Sequence, residues 1–121
     1  MQTPISWFEI PALNFERARH FYEHTFDVEL HIEEKPEFQM GIFPHPDGQA
    51  GGCITGGKGY APAAGGVVVY LYAGDDLSKP LERAVSLGGK VVMAKTSIGE
   101  HGYIALFRDS EGNTVGLHSM N

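Results

Sequence analysis

Glu9 and His118 have side chains suited to proton transfer, and both lie on predicted strands. Glu9 stands between Phe8 and Ile10. Burial there would raise the pKa of its carboxyl group, which suits a general base or a hydrogen-bond anchor for a ligand. The alternative is that Glu9 pairs with an arginine or lies near solvent at the strand end. His118, near the end of the last strand, is suited to shuttle a proton or bind a ligand, or it is bonded to backbone or exposed.

The other reactive residue types form no recognisable catalytic motif. Cys53 is the single cysteine, and no base stands beside it, so we predict a small packed thiol. The segment 52–58 begins like a phosphate-binding loop, but Gly59 replaces the Ser or Thr that would bind magnesium. Tyr60-Ala61-Pro62 cannot open the helix that would hold the phosphate. The sequence therefore excludes nucleotide hydrolysis by this motif.

The remaining five histidines show no metal-binding pattern. Two of them lie four residues apart on the first predicted helix without the His-Glu-x-x-His arrangement of zinc proteases. One lies on the polar face of an alternating strand, and two lie in turns. We interpret all five as surface residues: His20, His24, His31, His45 and His101.

Length and composition limit the class of protein. The chain has 121 residues, 42% of them hydrophobic, and a net charge of −6 from 9 Lys+Arg and 15 Asp+Glu. An acidic chain is unsuited to nucleic acids and to anionic membranes, which attract clustered cations. The sequence has no apolar run long enough to cross a membrane and no secretory signal, and one cysteine cannot form an intrachain disulfide. These features predict one small, cytoplasmic domain.

The elements that must position these residues recur in the order strand–helix–strand–strand–strand. Asn14 is the expected N-cap of the first helix and Ser78 that of the second, whose first turn tolerates Pro80. Strand 66–72 is apolar on both faces and is expected to be central. The predicted ranges are strand 5–10, helix 14–26 and strands 28–33, 38–43 and 49–55, then strand 66–72, helix 78–87 and strands 90–95, 102–107 and 113–118.

The two halves align with each other as an internal repeat. Ile5 aligns with Val67, Phe43 with Phe107, and Gly52 with Gly116. Each half is too small to bury a core alone, so the two must share one. We predict a single domain over 1–121, made of module 1 (about 3–55) and module 2 (about 66–119). The Gly-rich loop 56–65 between them has the composition of a mobile connector.

Both ends of the chain resemble a known superfamily. Phe8-Glu9-Ile10-Pro11, followed by Glu16-Arg17-Ala18-Arg19-His20-Phe21-Tyr22, resembles the opening of vicinal-oxygen-chelate proteins. These include glyoxalase-type lyases, extradiol dioxygenases and bleomycin-resistance proteins. The segment 102–119, with Asp109-Ser110-Glu111-Gly112-Asn113, resembles their closing hairpin. The resemblance implies an α+β fold of two βαβββ modules, forming a curved mixed sheet around a cleft, and a homodimer whose subunits share that cleft.

Metal-dependent members of this superfamily carry one ligand on the first and one on the last strand of each module. The resemblance carries these positions onto Ile5, Gly52, Val67 and Gly116, whose side chains cannot bind a metal. A register error of one residue would not restore the site. An error of two would add only His118 as a good ligand. We therefore predict no metal and no other cofactor, and the two glycines would leave space for a bound molecule.

Strand alternation then assigns side chains to the cleft. Ile104 and Leu106, with their counterparts Met40 and Ile42, are assigned to the helix side. The predicted ligand-binding residues are Trp7, Gln39, Phe43, Ile54, Leu71, Tyr103 and Phe107.

The sequence therefore predicts a metal-independent protein that binds a small molecule. The alternative is a glyoxalase- or dioxygenase-like enzyme, a lyase or isomerase acting on a small oxygenated substrate. It would use Glu9 and His118 as an acid/base pair, since first and last strands pair in this fold, or a divalent metal on displaced ligands.

Overall fold

A computed structural model describes residues 4–57 and 59–121. Met1, Gln2, Thr3 and Lys58 lie outside it, so the predicted start of module 1 and one residue of the connector are not described. The elements are β1 (Trp7–Ala12), α1 (Phe15–Phe26), β2 (His31–Glu34), β3 (Phe38–Ile42), β4 (Gly51–Gly57), β5 (Tyr70–Tyr72), α2 (Ser78–Ser86), β6 (Lys90–Ser97), β7 (Tyr103–Arg108) and β8 (Thr114–Ser119), with a short 3₁₀ turn at Gly99–His101.

Each βαβββ module forms its own four-stranded mixed sheet. The strand orders are β1-β4-β3-β2 and β5-β8-β7-β6. The first strand of each module runs parallel to the last, and the remaining pairs are antiparallel. One continuous hydrophobic core joins both helices to both sheets. The predicted α+β fold of paired βαβββ modules is therefore confirmed.

Helix α1 begins as its sequence predicts. Asn14 is the N-cap, and its side chain accepts a hydrogen bond from the backbone N–H of Arg17 at 3.0 Å. The apolar stripe buries Phe15, Ala18 and Tyr22. The second helix differs in detail, because Ser78 is its first residue and Asp76 Oδ1 accepts the Ser78 N–H at 2.9 Å.

Helix α1 packs across the module boundary onto the closing hairpin of module 2. The Phe21 and Phe107 rings stack with centroids 6.0 Å apart. The buried Tyr22 hydroxyl donates to Asp109 Oδ2 at 2.7 Å, and desolvation by burial together with that carboxylate raises the pKa of Tyr22 well above its ordinary value. The two segments that carry the family resemblance therefore contact each other, and they hold the modules together.

Strand β5 differs most from its prediction. It covers only Tyr70–Tyr72 and lies at a sheet edge rather than in the centre. Val67, expected within this strand, is 95% exposed. The connector before β5 is held at Ala63, because the Ala63 N–H donates a hydrogen bond to Asn113 Oδ1 at 3.1 Å.

Among the described residues, no helix is long and apolar enough to span a membrane.

Candidate functional site

Each sheet has an inner face, packed on the helices, and an outer face, directed away from them. In module 1, β1 directs Ile10 and Ala12 into the core and places Trp7 and Glu9 on the outer face. In module 2, β5 buries Leu71 and exposes Tyr70 and Tyr72 on the outer face. The outer faces are the surfaces on which the superfamily's cleft is expected.

The outer face of module 1 is built around Cys53. Cys53 of β4 lies opposite Glu9 of β1, and its Sγ is 3.1 Å from Thr55 Oγ1. Burial raises the pKa of the Cys53 thiol; the Thr55 hydrogen bond opposes this shift and the Glu9 charge adds to it. The predicted packed thiol is therefore a protonated one rather than a nucleophilic thiolate. Trp7 lies next to this group, with its ring edge-on to His45.

The outer face of module 2 is aromatic. The ring of Tyr70 lies over Gly116, its partner on β8, and fills the space where a side chain would stand. Tyr72 lies opposite His118 in the next row. His118 Nε2 is 2.6 Å from the backbone carbonyl of His101, so this ring nitrogen donates and the residue is bonded to backbone.

These outer-face residues do not fit the superfamily's metal. Glu9 and Cys53 are neighbours, but the thiol is bonded to Thr55 and its pKa is raised. His118 lies in the other module, and its Nε2 is already hydrogen-bonded to the His101 carbonyl. Within residues 4–57 and 59–121, no three His, Cys, Asp or Glu side chains lie close enough together to hold a metal ion. Trp7, Tyr70 and Gly116 supply no ligand beyond a phenol.

In the structure, the alignment of the last strands of the two modules shifts by one residue. Ile42 pairs with Cys53, and its counterpart Leu106 pairs with Gly116, so Cys53 is equivalent to Gly116. Their partners on the first strands, Glu9 and Tyr70, are then equivalent as well. The predicted equivalence of Gly52 with Gly116 is wrong, since Gly52 faces the core. The ring of Phe8 fills the space beside it. Neither glycine therefore leaves an open space, and Ile5 and Val67 lie before the strands that begin at Trp7 and Tyr70.

The predicted faces of the hairpins are inverted. Phe107 is fully buried against Phe21, and Phe43 packs edge-on to Tyr22, so both point toward the helices. Ile104, Leu106, Met40 and Ile42 consequently take the outer face. The four-residue periodicity of the helices was clear in the sequence, but both strand faces are apolar, and alternation alone could not decide which one the helices cover.

The other predicted ligand-binding residues have varied positions. Ile54 is fully buried in the core, and Leu71 is 9% exposed. Tyr103 packs at the core margin beneath the Lys95 ammonium group, which is 4.7 Å from the ring centroid. The Gln39 amide lies 3.5 Å from Glu34. Trp7 alone of the predicted set lies on the outer face.

Glu9 and His118, the predicted acid/base pair, do not lie on paired strands of one chain. Parallel pairing of first and last strands occurs inside each module, so Glu9 lies beside Cys53 and His118 beside Tyr72. The inference that these strands pair is right, but Glu9 and His118 belong to different modules. Glu9 is exposed rather than buried, and it lines a cavity of about 180 Å³ formed by β1, the connector and the start of β8.

A larger cavity lies on the inner side, between the modules. Its volume is about 470 Å³, within the roughly 300–1,000 Å³ common for small-molecule pockets. Predicted ligand-binding residues Phe43 and Leu71 line it, together with Phe8 and Phe26. No sequence motif marks this cavity, because it forms where residues from both modules meet.

The paired βαβββ modules and their aromatic outer faces define a glyoxalase-like domain. The family model of the glyoxalase/bleomycin resistance protein/dioxygenase superfamily matches residues 5–117. A "Glyoxylase-like domain-containing protein" of Didymella fabae is 32% identical over 119 residues, covering 91% of this chain and 88% of that protein. The chain therefore belongs to this superfamily.

Solved structures agree with this assignment at the level of the fold. A glyoxylase/bleomycin resistance protein/dioxygenase domain from Frankia sp. EAN1pec superposes with a TM-score of 0.70 at 14% identity, covering 100% of both chains. TnmS3, an antibiotic binding protein from Streptomyces sp. CB03234, superposes with a TM-score of 0.68 at 18% identity, covering 98% of this chain and 97% of its own.

Proposed function

We propose that this chain binds a small aromatic, oxygen-bearing molecule on its outer faces without the metal used by metal-dependent relatives. The observation that carries the proposal is the side-chain chemistry of the first and last strands of the modules. Trp7, Tyr70 and Tyr72 offer ring surfaces for stacking, whereas Glu9, Cys53 and His118 do not come together as a metal-ligand set within one chain. The antibiotic-binding activity of TnmS3, which has the same fold, is compatible with such a role.

A polar donor on the same surface favours an oxygen-bearing ligand. Arg108 alternates with the buried Phe107, so its side chain lies on the outer face of module 2. Its Nε is buried and has no hydrogen-bond partner among the described residues. A buried donor without a partner is costly, and an oxygen atom of a ligand would remove that cost.

A second copy of this chain would complete the site. The outer-face residues Trp7, Tyr70 and Tyr72 are large, apolar and exposed, as is the nearby Val67. They lie on or beside β1 and β5, which are both edge strands with unpaired backbone groups. A homodimer that joins module 1 of one subunit to module 2 of the other would cover these side chains and enclose the cleft. A cytoplasmic location belongs to the same proposal, supported by the free, buried thiol of Cys53.

A lyase or isomerase is the second candidate function. Glu9 favours it, because the carboxylate shares the outer face with Trp7 and borders the smaller cavity. In the proposed dimer, His118 of one subunit and Glu9 of the other would face the same cleft as an acid/base pair. Glu9→Gln would then abolish turnover while leaving ligand binding measurable.

Trp7 provides the test, because it is the only tryptophan in the chain. Titration with catechol and with 2-naphthol should quench its fluorescence, whereas cyclohexanol, which lacks an aromatic ring, should not. Calorimetry of Trp7→Ala should show weaker 2-naphthol binding. His24→Ala, at an exposed position of helix α1, serves as the control. Equal binding by wild type and Trp7→Ala would contradict the proposal.

The metal content of the protein tests the other half of the proposal. Protein prepared without chelators and offered Ni²⁺, Zn²⁺, Mn²⁺ or Fe²⁺ should retain much less than one ion per chain. One ion per chain, lost in Glu9→Gln or His118→Ala, would overturn the metal-independent interpretation and support the metal enzyme.

A further inference from the structure

The inner cavity of about 470 Å³ is separate from the outer faces. Phe8 and Leu71 reach it from β1 and β5 on the side that packs against the helices, opposite to Trp7 and Tyr70. Phe26, at the end of α1, and Phe43 supply further apolar wall. The cavity is therefore an apolar space at the junction of the modules, away from the superfamily's cleft.

Among the described residues that line this cavity, Arg83 of α2 is the one with a charged side chain. Its Nε donates to the backbone carbonyl of Thr25 at 2.8 Å, which links α2 to α1 and orients the guanidinium group. Among the described residues, no carboxylate forms an ion pair with Arg83, although the chain carries 15 Asp+Glu. The two terminal amino groups are thus oriented and available to an anion.

We propose that this cavity binds a monocarboxylate with an apolar body, such as a medium-chain fatty acid, whose carboxylate pairs with Arg83. The apolar wall favours a hydrocarbon body, because its burial removes apolar surface from water. The single oriented guanidinium matches one carboxylate with two parallel hydrogen bonds. This site differs from the proposed outer-face site in its lining, because Tyr72 is the one described residue that borders both.

Calorimetry with octanoate tests the site, with 1-octanol as the uncharged match. Wild type should bind one octanoate per chain. Arg83→Gln should weaken octanoate binding by about three- to fivefold, the range of a partly exposed ion pair, and leave 1-octanol binding unchanged. Arg83→Lys should retain part of the preference for octanoate over 1-octanol. Arg19→Gln, at a half-buried position of α1 that does not line the cavity, should behave as wild type.

A variant that fills the space tests the cavity itself. Val28→Phe introduces a ring at a half-buried lining position and should weaken both octanoate and 1-octanol. Octanoate should neither quench Trp7 nor compete with 2-naphthol, so failure of one site is distinguishable from failure of the other. Three results would overturn the proposal. They are competition between octanoate and 2-naphthol, equal octanoate affinity in wild type and Arg83→Gln, and octanoate binding only upon dissociation of a dimer.

Discussion

Arg17 and Glu111 form a bidentate ion pair that ties the first helix to the last turn of the chain. Arg17 Nε is 2.7 Å from Glu111 Oε2, and Nη2 is 3.0 Å from Oε1. The Glu111 side chain is completely buried, whereas that of Arg17 is 52% exposed. The Asn14 N–H and the Ser110 hydroxyl complete the set of donors to this carboxylate. The pair therefore satisfies a buried charge at the junction of the two modules.

Removing the guanidinium should destabilise the fold. Arg17→Met deletes two of the hydrogen bonds to a buried carboxylate and should lower the free energy of unfolding by about 1–3 kcal/mol. Urea denaturation measures the change. Arg19→Met is the matched control in the same helix, because Arg19 pairs only with Glu16 and Glu23 of that helix, each pair being worth about 0.5 kcal/mol or less. Equal losses in the two variants would contradict this role for Arg17.

The buried carboxylate of Glu111 should make the stability of the fold sensitive to acid. Burial alone would raise the pKa of Glu111, but hydrogen bonds from Arg17, Asn14 and Ser110 lower it below its ordinary value of 4.5. The folded state therefore binds this proton less readily than the unfolded chain. The stabilisation is present above pH 4.5 and is lost as the pH falls through the folded-state pKa. Thermal midpoints between pH 7 and pH 3 should fall less steeply for Arg17→Met than for wild type.

Asp76 should act in the same direction at lower pH. The Ser78 backbone N–H, and then Lys95, lower the pKa of Asp76 from 3.8 to about 2. Its contribution is therefore present above pH 3.8 and is lost as the pH approaches 2. Asp76→Asn should remove this part of the acid dependence below pH 3.8 and leave unchanged the part that Arg17→Met removes. A variant profile identical to wild type below pH 3.8 would disagree with this assignment.

The two glycines expected to form open space should respond differently to substitution. A methyl group at Gly52 would collide with the Phe8 ring on the inner face, and Gly52→Ala should cost about 1–3 kcal/mol of stability. At Gly116 the methyl group would displace the half-exposed Tyr70 ring. Gly116→Ala should therefore change 2-naphthol affinity more than it changes stability. Chemical denaturation and calorimetry together separate these effects. A larger loss of stability for Gly116→Ala than for Gly52→Ala would refute the assignment of faces.

The exposed aromatic edge predicts the oligomeric state. Tyr72 is 75% exposed on β5, and Tyr72→Glu should place a charge in the proposed dimer interface. Light scattering should give twice the chain mass of 13.2 kDa for wild type and the chain mass for the variant. Val85→Glu, at an exposed apolar position on α2, should remain dimeric. A wild-type monomer at micromolar concentration would contradict the shared cleft.

The fold could be predicted from sequence because its signals are local and repeated. The Asn14 cap, the helical spacing to Phe26 and the turn at Asp109 each act over a few residues, and the order strand–helix–strand–strand–strand occurs in both modules. Contacts such as Tyr22 with Asp109 are distant in sequence, yet their residues carried the family resemblance.

The site was harder to predict, because an error of one residue moves a side chain to the other face of a sheet. The turn between β3 and β4 is long, so counting across it placed Gly52 on the outer face, where Cys53 lies. The segment 66–72 is apolar on both faces and was therefore expected to be a central strand, although β5 covers only Tyr70–Tyr72 and its outer side is exposed within one chain. The inner cavity needs residues from both modules, and no single segment indicates it.

The Arg17–Glu111 pair, separated by 94 positions in sequence, has a consequence for biosynthesis. While the ribosome is still making module 2, α1 has no closing hairpin to pack on, and Phe21 and Tyr22 have only part of their final surroundings. Loop closure over such a separation is entropically costly and slows folding. The nascent chain therefore reaches its stable form only after its last strand has left the exit tunnel.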